Sequence, residues 1–262
     1  MSQALLWIVD DRGVATVSFN RPEVNNAYNG DVIEGLHAAM DELGGRAGLR
    51  VVVLKGNGKH FQAGADLGWI AAVSRQPLAE NVRVSRATAQ AIDRLNRLPV
   101  PTVALVQGGC FGGGTGIVAA CDVAIAADNA LFSIAEVRWG LTAAIIMPQL
   151  ADAISVRQLR RYALTGERFG AEEARRIGLV HQVVPLDKLA AAGEAMAARL
   201  LENGPQAIAE TKAIALETAW GGFDAATLDR LVGSHARKRL SAEATEGLAS
   251  FAEKRPARWP RA

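Results

Sequence analysis

An α/β core followed by a layer of helices is the architecture this sequence predicts, on three observations. Val51-Val52-Val53-Leu54, Pro101-Thr102-Val103-Ala104-Leu105-Val106 and Val123-Ala124-Ile125-Ala126 lack polar alternation. Such runs read as strands buried on both faces, as in parallel sheets. Two glycine-containing loops follow such strands, each leading into a helix start. From about Met147 onward helical periodicity takes over.

Taken in order, Leu5-Leu6-Trp7-Ile8-Val9 and Val14-Ala15-Thr16-Val17-Ser18-Phe19 are β-rich, and Asp10-Asp11-Arg12-Gly13 between them is turn chemistry, so they form a hairpin. Asn20-Arg21-Pro22 ends the second strand. Asp31 is placed to cap a helix carrying Ile33, Leu36, Ala39, Met40 and Leu43, which Gly44-Gly45 stops. The βαβ order predicts parallel pairing through a right-handed crossover. Lys55 to Gly68 is a loop, with Asp66 placed to cap the next helix. A longer helix covers about Leu78 to Leu98 and ends at Pro99 and Pro101. Helices are then expected over Gln149–Ala163, Ala171–Ile177, Leu186–Glu202, Pro205–Thr218, Ala225–Arg239 and Ala242–Lys254. One strand, Leu179–Val184, interrupts them.

The 262 residues suffice for one large domain or two small ones, and 50% are hydrophobic. A net charge of +2 is too near neutral to imply a nucleic-acid or membrane partner. Cys110 and Cys121 sit among apolar residues and glycines and read as buried free thiols. With few cysteines, no signal-peptide pattern and no membrane-length apolar run, the expected compartment is the cytoplasm.

Phosphate-loop, zinc-protease, nucleophile-elbow and dinucleotide fingerprints are absent. His37, His60, His181 and His235 are scattered without metal-ligand spacing, so no metal is expected. The two glycine loops remain. In a parallel sheet both lie at the strand ends where ligands bind. One N–H from Ala63-Gly64-Ala65-Asp66 and one from Gly112-Gly113-Gly114 could converge on a single oxygen as an oxyanion hole. Tight turns packing strand on helix would need the same glycines, so spacing alone leaves both readings open.

His60-Phe61-Gln62-Ala63-Gly64-Ala65-Asp66-Leu67 matches an F-x-A-G-A-D-L loop. Val106-Gln107-Gly108, Gly112-Gly113-Gly114 and Cys121-Asp122 match a second signature. Asn20-Arg21-Pro22, Asn26-Ala27, Ser133 to Leu141, Leu164-Thr165-Gly166-Glu167, Gly178-Leu179-Val180 and Phe251 to Pro256 follow in collinear order. Together they resemble the crotonase (enoyl-CoA hydratase/isomerase) superfamily over nearly the whole chain. The resemblance implies a crotonase (ClpP-like) fold: a repeated ββα core, here residues 1–200, and a helical trimerisation region, residues 201–262. It also implies a homotrimer or a dimer of trimers, and an acyl-CoA thioester substrate in fatty acid metabolism. Coenzyme A is then part of the substrate and no separate cofactor is needed.

By the same resemblance, backbone N–H groups of Ala65 and Gly113 hold the thioester oxygen as it becomes an enolate. Glu136 is the acid/base. Ala27, Ala63, Asp66, Leu67 and Gly112 contact substrate or CoA, and Phe251 and Lys254 reach the CoA of a neighbouring subunit. The sequence departs from the two-glutamate hydratase pattern, because Gly116 stands where the first glutamate would be. One carboxyl can take a proton from water and deliver it to the same face, and an isomerase needs only one proton shuttle. Hydratase and Δ3,Δ2-enoyl-CoA isomerase therefore both stay open. A third alternative is an inactive RNA-binding module, motivated by the missing glutamate and the basic residues Arg237-Lys238-Arg239 and Lys254 to Arg261. The closer likeness is to bacterial 3-methylglutaconyl-CoA and isohexenylglutaconyl-CoA hydratase-type members, which places a hydratase of branched 2-enoyl-CoAs ahead. Gly116 is expected to leave room for a bulky acyl group, and a partly apolar pocket is expected to raise the Glu136 pKa.

Overall fold

A six-stranded sheet runs through the centre of the molecule, in the order β1 (Leu5–Val9), β2 (Val14–Phe19), β3 (Val51–Gly56), β4 (Thr102–Val106), β6 (Val123–Ala127) and β9 (Gln182–Val184). The computed structural model describes residues 4–221, 232–233 and 241–259. Strands β1 (Leu5–Val9) and β2 (Val14–Phe19) form the expected antiparallel hairpin. Helix α1 (Gly30–Gly44) then crosses over to β3 (Val51–Gly56), which pairs parallel to β2. Strands β4 (Thr102–Val106), β6 (Val123–Ala127) and β9 (Gln182–Val184) continue the parallel set. A smaller sheet joins β5 (Gly109–Phe111), β7 (Leu131–Ser133) and β8 (Phe169–Gly170).

Alternation along β3 explains why the large sheet is covered on both faces. Val52 and Leu54 enter a core shared with α1, α3 (Leu78–Asn96), α4 (Gly113–Ala119) and α5 (Met147–Thr165). Val51 and Val53 point the other way, toward Leu189 and Ala197 of α7 (Leu189–Leu201). That helix lies so close that a Cβ on Gly193 would stand 2.6 Å from Leu105 Cδ1. Strands with two buried faces cannot alternate polar and apolar residues, which is the pattern the sequence carries.

The remaining helices are α2 (Leu67–Ser74), α6 (Ala171–Ile177), α8 (Pro205–Gly221) and α9 (Ala242–Ala252). Some expectations need correction. Asn29, not Asp31, caps α1: its side chain accepts from Val32 N, and Asp31 sits in the first turn. The strand expected over Leu179–Val184 is reduced to β9, because Leu179 and Val180 N–H bond back to Ala174 O at the end of α6. Helix α5 is interrupted at Ser155, whose φ of 63° and ψ of 154° are not helical. The helix expected over Ala225–Arg239 falls, but for Val232 and Gly233, outside the described residues. Cys110 and Cys121 are buried and free, as expected. No helix among the described residues is long and apolar enough to cross a membrane.

Candidate active site

The two glycine loops run side by side and are bonded to each other through the main chain. Phe61 N–H donates to Gln107 O (2.8 Å), Gln62 N–H to Gly109 O (3.2 Å), and Phe111 N–H to Gln62 O (3.0 Å). Gly109 N–H donates to His60 Nδ1 at 2.7 Å. The buried Gln62 side chain clamps Gly64 from both sides, accepting from its N–H and donating to its carbonyl. A third segment, Asn25 to Tyr28, lies on the first loop. Ala63 N–H donates to Asn25 O (3.1 Å), Tyr28 N–H to Gly64 O (2.9 Å) and Asp66 N–H to Tyr28 O (2.9 Å).

Within Ala63-Gly64-Ala65-Asp66 and Gly112-Gly113-Gly114, following each backbone donor to its acceptor leaves two uncommitted donors whose residues line a single cavity. In the first loop the N–H groups of Ala63, Gly64 and Asp66 are spent, and that of Ala65 is not. In the second, Phe111 and Gly112 are spent, Gly112 on Ser133 O at 2.8 Å. Gly113 opens α4, where an N–H has no intrahelical partner. Among the described residues neither Ala65 N–H nor Gly113 N–H has an acceptor, and both residues line one cavity of about 570 Å³.

Glu136 lines the same cavity, in a 3-10 turn (Glu136–Trp139) that follows β7. Gly112, at φ 50°, lets the carboxyl approach: a Cβ there would stand 2.9 Å from Glu136 Oε1. Its Oε2 is buried without a hydrogen-bond partner. Burial pushes the Glu136 carboxyl above the usual carboxylate range, partly offset by its own backbone amide. No ion pair joins Glu136 to Arg138 among the described residues.

Of the other residues singled out from sequence, Ala63, Leu67 and Gly112 line the cavity. Asp66 does not. It caps α2, accepting from Gly68 and Trp69 N–H, and pairs with Arg21 at 3.2 Å. Ala27 is buried outside the lining, and its carbonyl accepts from Arg21 Nη1 at 2.6 Å. Lys254 is exposed beyond α9 and away from this cavity. Phe251 lies in α9, with its side chain outside what is described.

The expectation that Gly116 leaves room for an acyl group is corrected. Gly116 is buried in α4, and a Cβ there would stand 2.3 Å from Ile146 Cγ2. Ile146 already fills that space, leaving none for a carboxylate or an acyl branch. The apolar end of the cavity is instead lined by Val32, Ile33 and Leu36 of α1, Ala91 and Ile92 of α3, and Ile117 of α4.

Sequence reasoning missed Tyr28. Its ring lines the cavity and packs edge-on against Trp69, with centroids 5.9 Å apart. A Cβ on Gly113 would stand 2.7 Å from Tyr28 Cε1, so any side chain at 113 meets this ring first. The only sequence signal was an aromatic residue directly after Asn26-Ala27.

The enoyl-CoA hydratase/isomerase family model matches residues 10–261. A hydroxycinnamoyl-CoA hydratase-lyase of Pseudomonas fluorescens is 34% identical over 203 residues, 76% of this chain and 74% of the relative. A Δ(3,5)-Δ(2,4)-dienoyl-CoA isomerase, mitochondrial, of Dictyostelium discoideum is 30% identical over 260 residues, 94% of this chain and 87% of the relative. The crystal structure of an enoyl-CoA hydratase from Shewanella pealeana superposes with a TM-score of 0.94 at 34% identity, covering 99% of this chain and 97% of that one.

Proposed function

Because the chain belongs to the enoyl-CoA hydratase/isomerase family of enzymes, we propose that it adds water across the double bond of a 2-enoyl-CoA, with Glu136 as its one acid/base. The observation that carries this reading is the buried, unpartnered Glu136 carboxyl sharing a cavity with two uncommitted amides, Ala65 and Gly113. The thioester oxygen sits between the amides. They need not move as charge builds on it, and one such donor is worth about 3–4 kcal/mol of barrier. The Glu136 carboxylate takes a proton from water as the oxygen bonds to Cβ, and the π pair moves onto the thioester oxygen. Glu136 then returns the proton to Cα, restoring both groups.

The acyl chain extends between α1, α3 and α4, whose lining residues are apolar, so branched or straight hydrocarbon acyl groups fit this end. CoA enters as part of the substrate, past Ala63, Leu67 and Gly112. Ala27, Asp66, Phe251 and Lys254 support CoA indirectly or from a neighbouring subunit of a trimer or a dimer of trimers. A second reading, Δ3,Δ2-enoyl-CoA isomerisation, is favoured by Glu136 being the one carboxylate in the described lining.

Spectrophotometry separates the two. A hydratase consumes a 2-enoyl-CoA at the conjugated-enoyl absorbance and yields a product heavier by one water. An isomerase generates that absorbance from a 3-enoyl-CoA. Glu136→Gln is expected to lower hydration at least about 100-fold while acyl-CoA still binds. Hydration retained in that variant would move the chemistry elsewhere.

A further inference from the structure

We propose that the Tyr28 phenol is a further catalytic residue, a neutral donor that holds the oxygen added to or lost from Cβ. This rests on the hydratase reading above.

Tyr28 is fixed at both ends. Its backbone bonds to Gly64 O and Asp66 N–H on either side of Ala65. Its ring lies between Trp69 and Gly113. The Glu136 carboxyl sits on Gly112 and the Tyr28 ring on Gly113, so the two groups flank one glycine pair. Among the described residues the Tyr28 hydroxyl has no hydrogen-bond partner.

The other buried or half-buried side-chain donors of the lining are spent. Ser133 Oγ donates to Gly166 O, Thr88 Oγ1 to Val84 O, and Asn81 Nδ2 to Val73 O and Gln76 O. Ser74, Ser85, Arg138, Trp139, Thr142 and Arg168 are exposed. Ile146 occupies the space at Gly116, which removes any second acid from that side. Of the inward side-chain donors in the described lining, Tyr28 is left for a polar oxygen at Cβ.

The chemistry suits a phenol. Burial and the neighbouring Glu136 charge push it up to about 12, so it stays protonated while Glu136 ionises. It loses no proton in the cycle. It donates a hydrogen bond to the water whose proton Glu136 takes, and in reverse to the departing hydroxyl as the C–O bond breaks. A neutral donor also stands beside a carboxylate without the repulsion a second carboxylate would bring.

Tyr28→Phe keeps the ring against Gly113 and Trp69 and removes only the hydroxyl. The expected result is a fall in kcat for hydration of about 10–100-fold, with the Kd of a saturated acyl-CoA within about twofold. Cα hydrogen exchange of that saturated acyl-CoA in D2O needs Glu136 and the two amides but no oxygen at Cβ. It should persist in Tyr28→Phe within about threefold and vanish in Glu136→Gln. Unchanged hydration in Tyr28→Phe overturns the proposal. So does an equal fall in hydration and exchange, which would mean that the phenol acts through the amides. Wild-type protein that exchanges Cα hydrogen but never hydrates would instead defeat the hydratase reading itself.

Discussion

Glu136 concentrates a cost and a use in one carboxyl. An acid whose folded value is raised holds its proton more tightly folded than unfolded. As pH rises from the ordinary carboxylate value to the raised one, the unfolded chain loses its proton first, so stability falls across that window and stays lower above it. Glu136→Gln should therefore be more stable than wild type at about pH 8, seen as a higher Tm. The gap should close at acid pH, where both side chains are neutral. Thermal unfolding at the two pH values checks this, and an unchanged or lower Tm at about pH 8 would contradict it. The sequence exposed Glu136, Ala65 and Gly113 because they sit inside local motifs. It could not expose the contact between Gly116 and Ile146, residues thirty positions apart whose meeting depends on how α4 packs against the start of α5. Tyr28 was hidden for the same reason: its ring is aimed by rungs to a loop in another part of the chain.

Strands with two buried faces, and helices with a polar cap and an apolar stripe, were legible because each pattern is local. Elements set by tertiary contact were not. Val180 is as β-prone as Val183 and Val184, yet its N–H, like that of Leu179, goes to α6. Nothing local announced the break at Ser155. Helix α2 shows how an element serves the site. Asp66 caps it, and its Leu67, Ile70, Val73 and Ser74 line the cavity. The bond from Trp69 N–H holds the Asp66 carboxyl below its usual range, helped by Arg21. The stability this contributes is present above the ordinary carboxylate pKa and lost as pH falls through the depressed one. Asp66→Ala should cost about 1 kcal/mol and loosen α2, raising KM for acyl-CoA more than it lowers kcat. A thermal melt with steady-state kinetics tests this, and an unchanged KM would detach α2 from binding.

At the scale of the whole molecule, polar contacts tie the helical C-terminal part to the sheet. Asp122 Oδ2 accepts from Thr102 N–H and hydroxyl at the start of β4 and from Lys212 of α8 at 2.8 Å. The Lys212 side chain is only 9% exposed. Glu243 of α9 accepts from Gln206 and Ala207 N–H and so caps α8. Cys121-Asp122, part of the second signature, thus joins layers rather than facing the cavity. Asp122→Ala leaves a nearly buried ammonium without its carboxylate and should lower stability by about 3 kcal/mol, seen as a reduced denaturant midpoint. A midpoint equal to wild type would refute that role. The rungs between Gln62 and the strand at Cys110 lead to a wider consequence. The spacing of the two amides is inherited from the peptide geometry of paired segments, braced by the Gln62 and His60 side chains. A lineage could therefore exchange the residues around α1 and α3, and with them the hydrocarbon proposed to lie there, without renegotiating where the proposed thioester carbonyl lies.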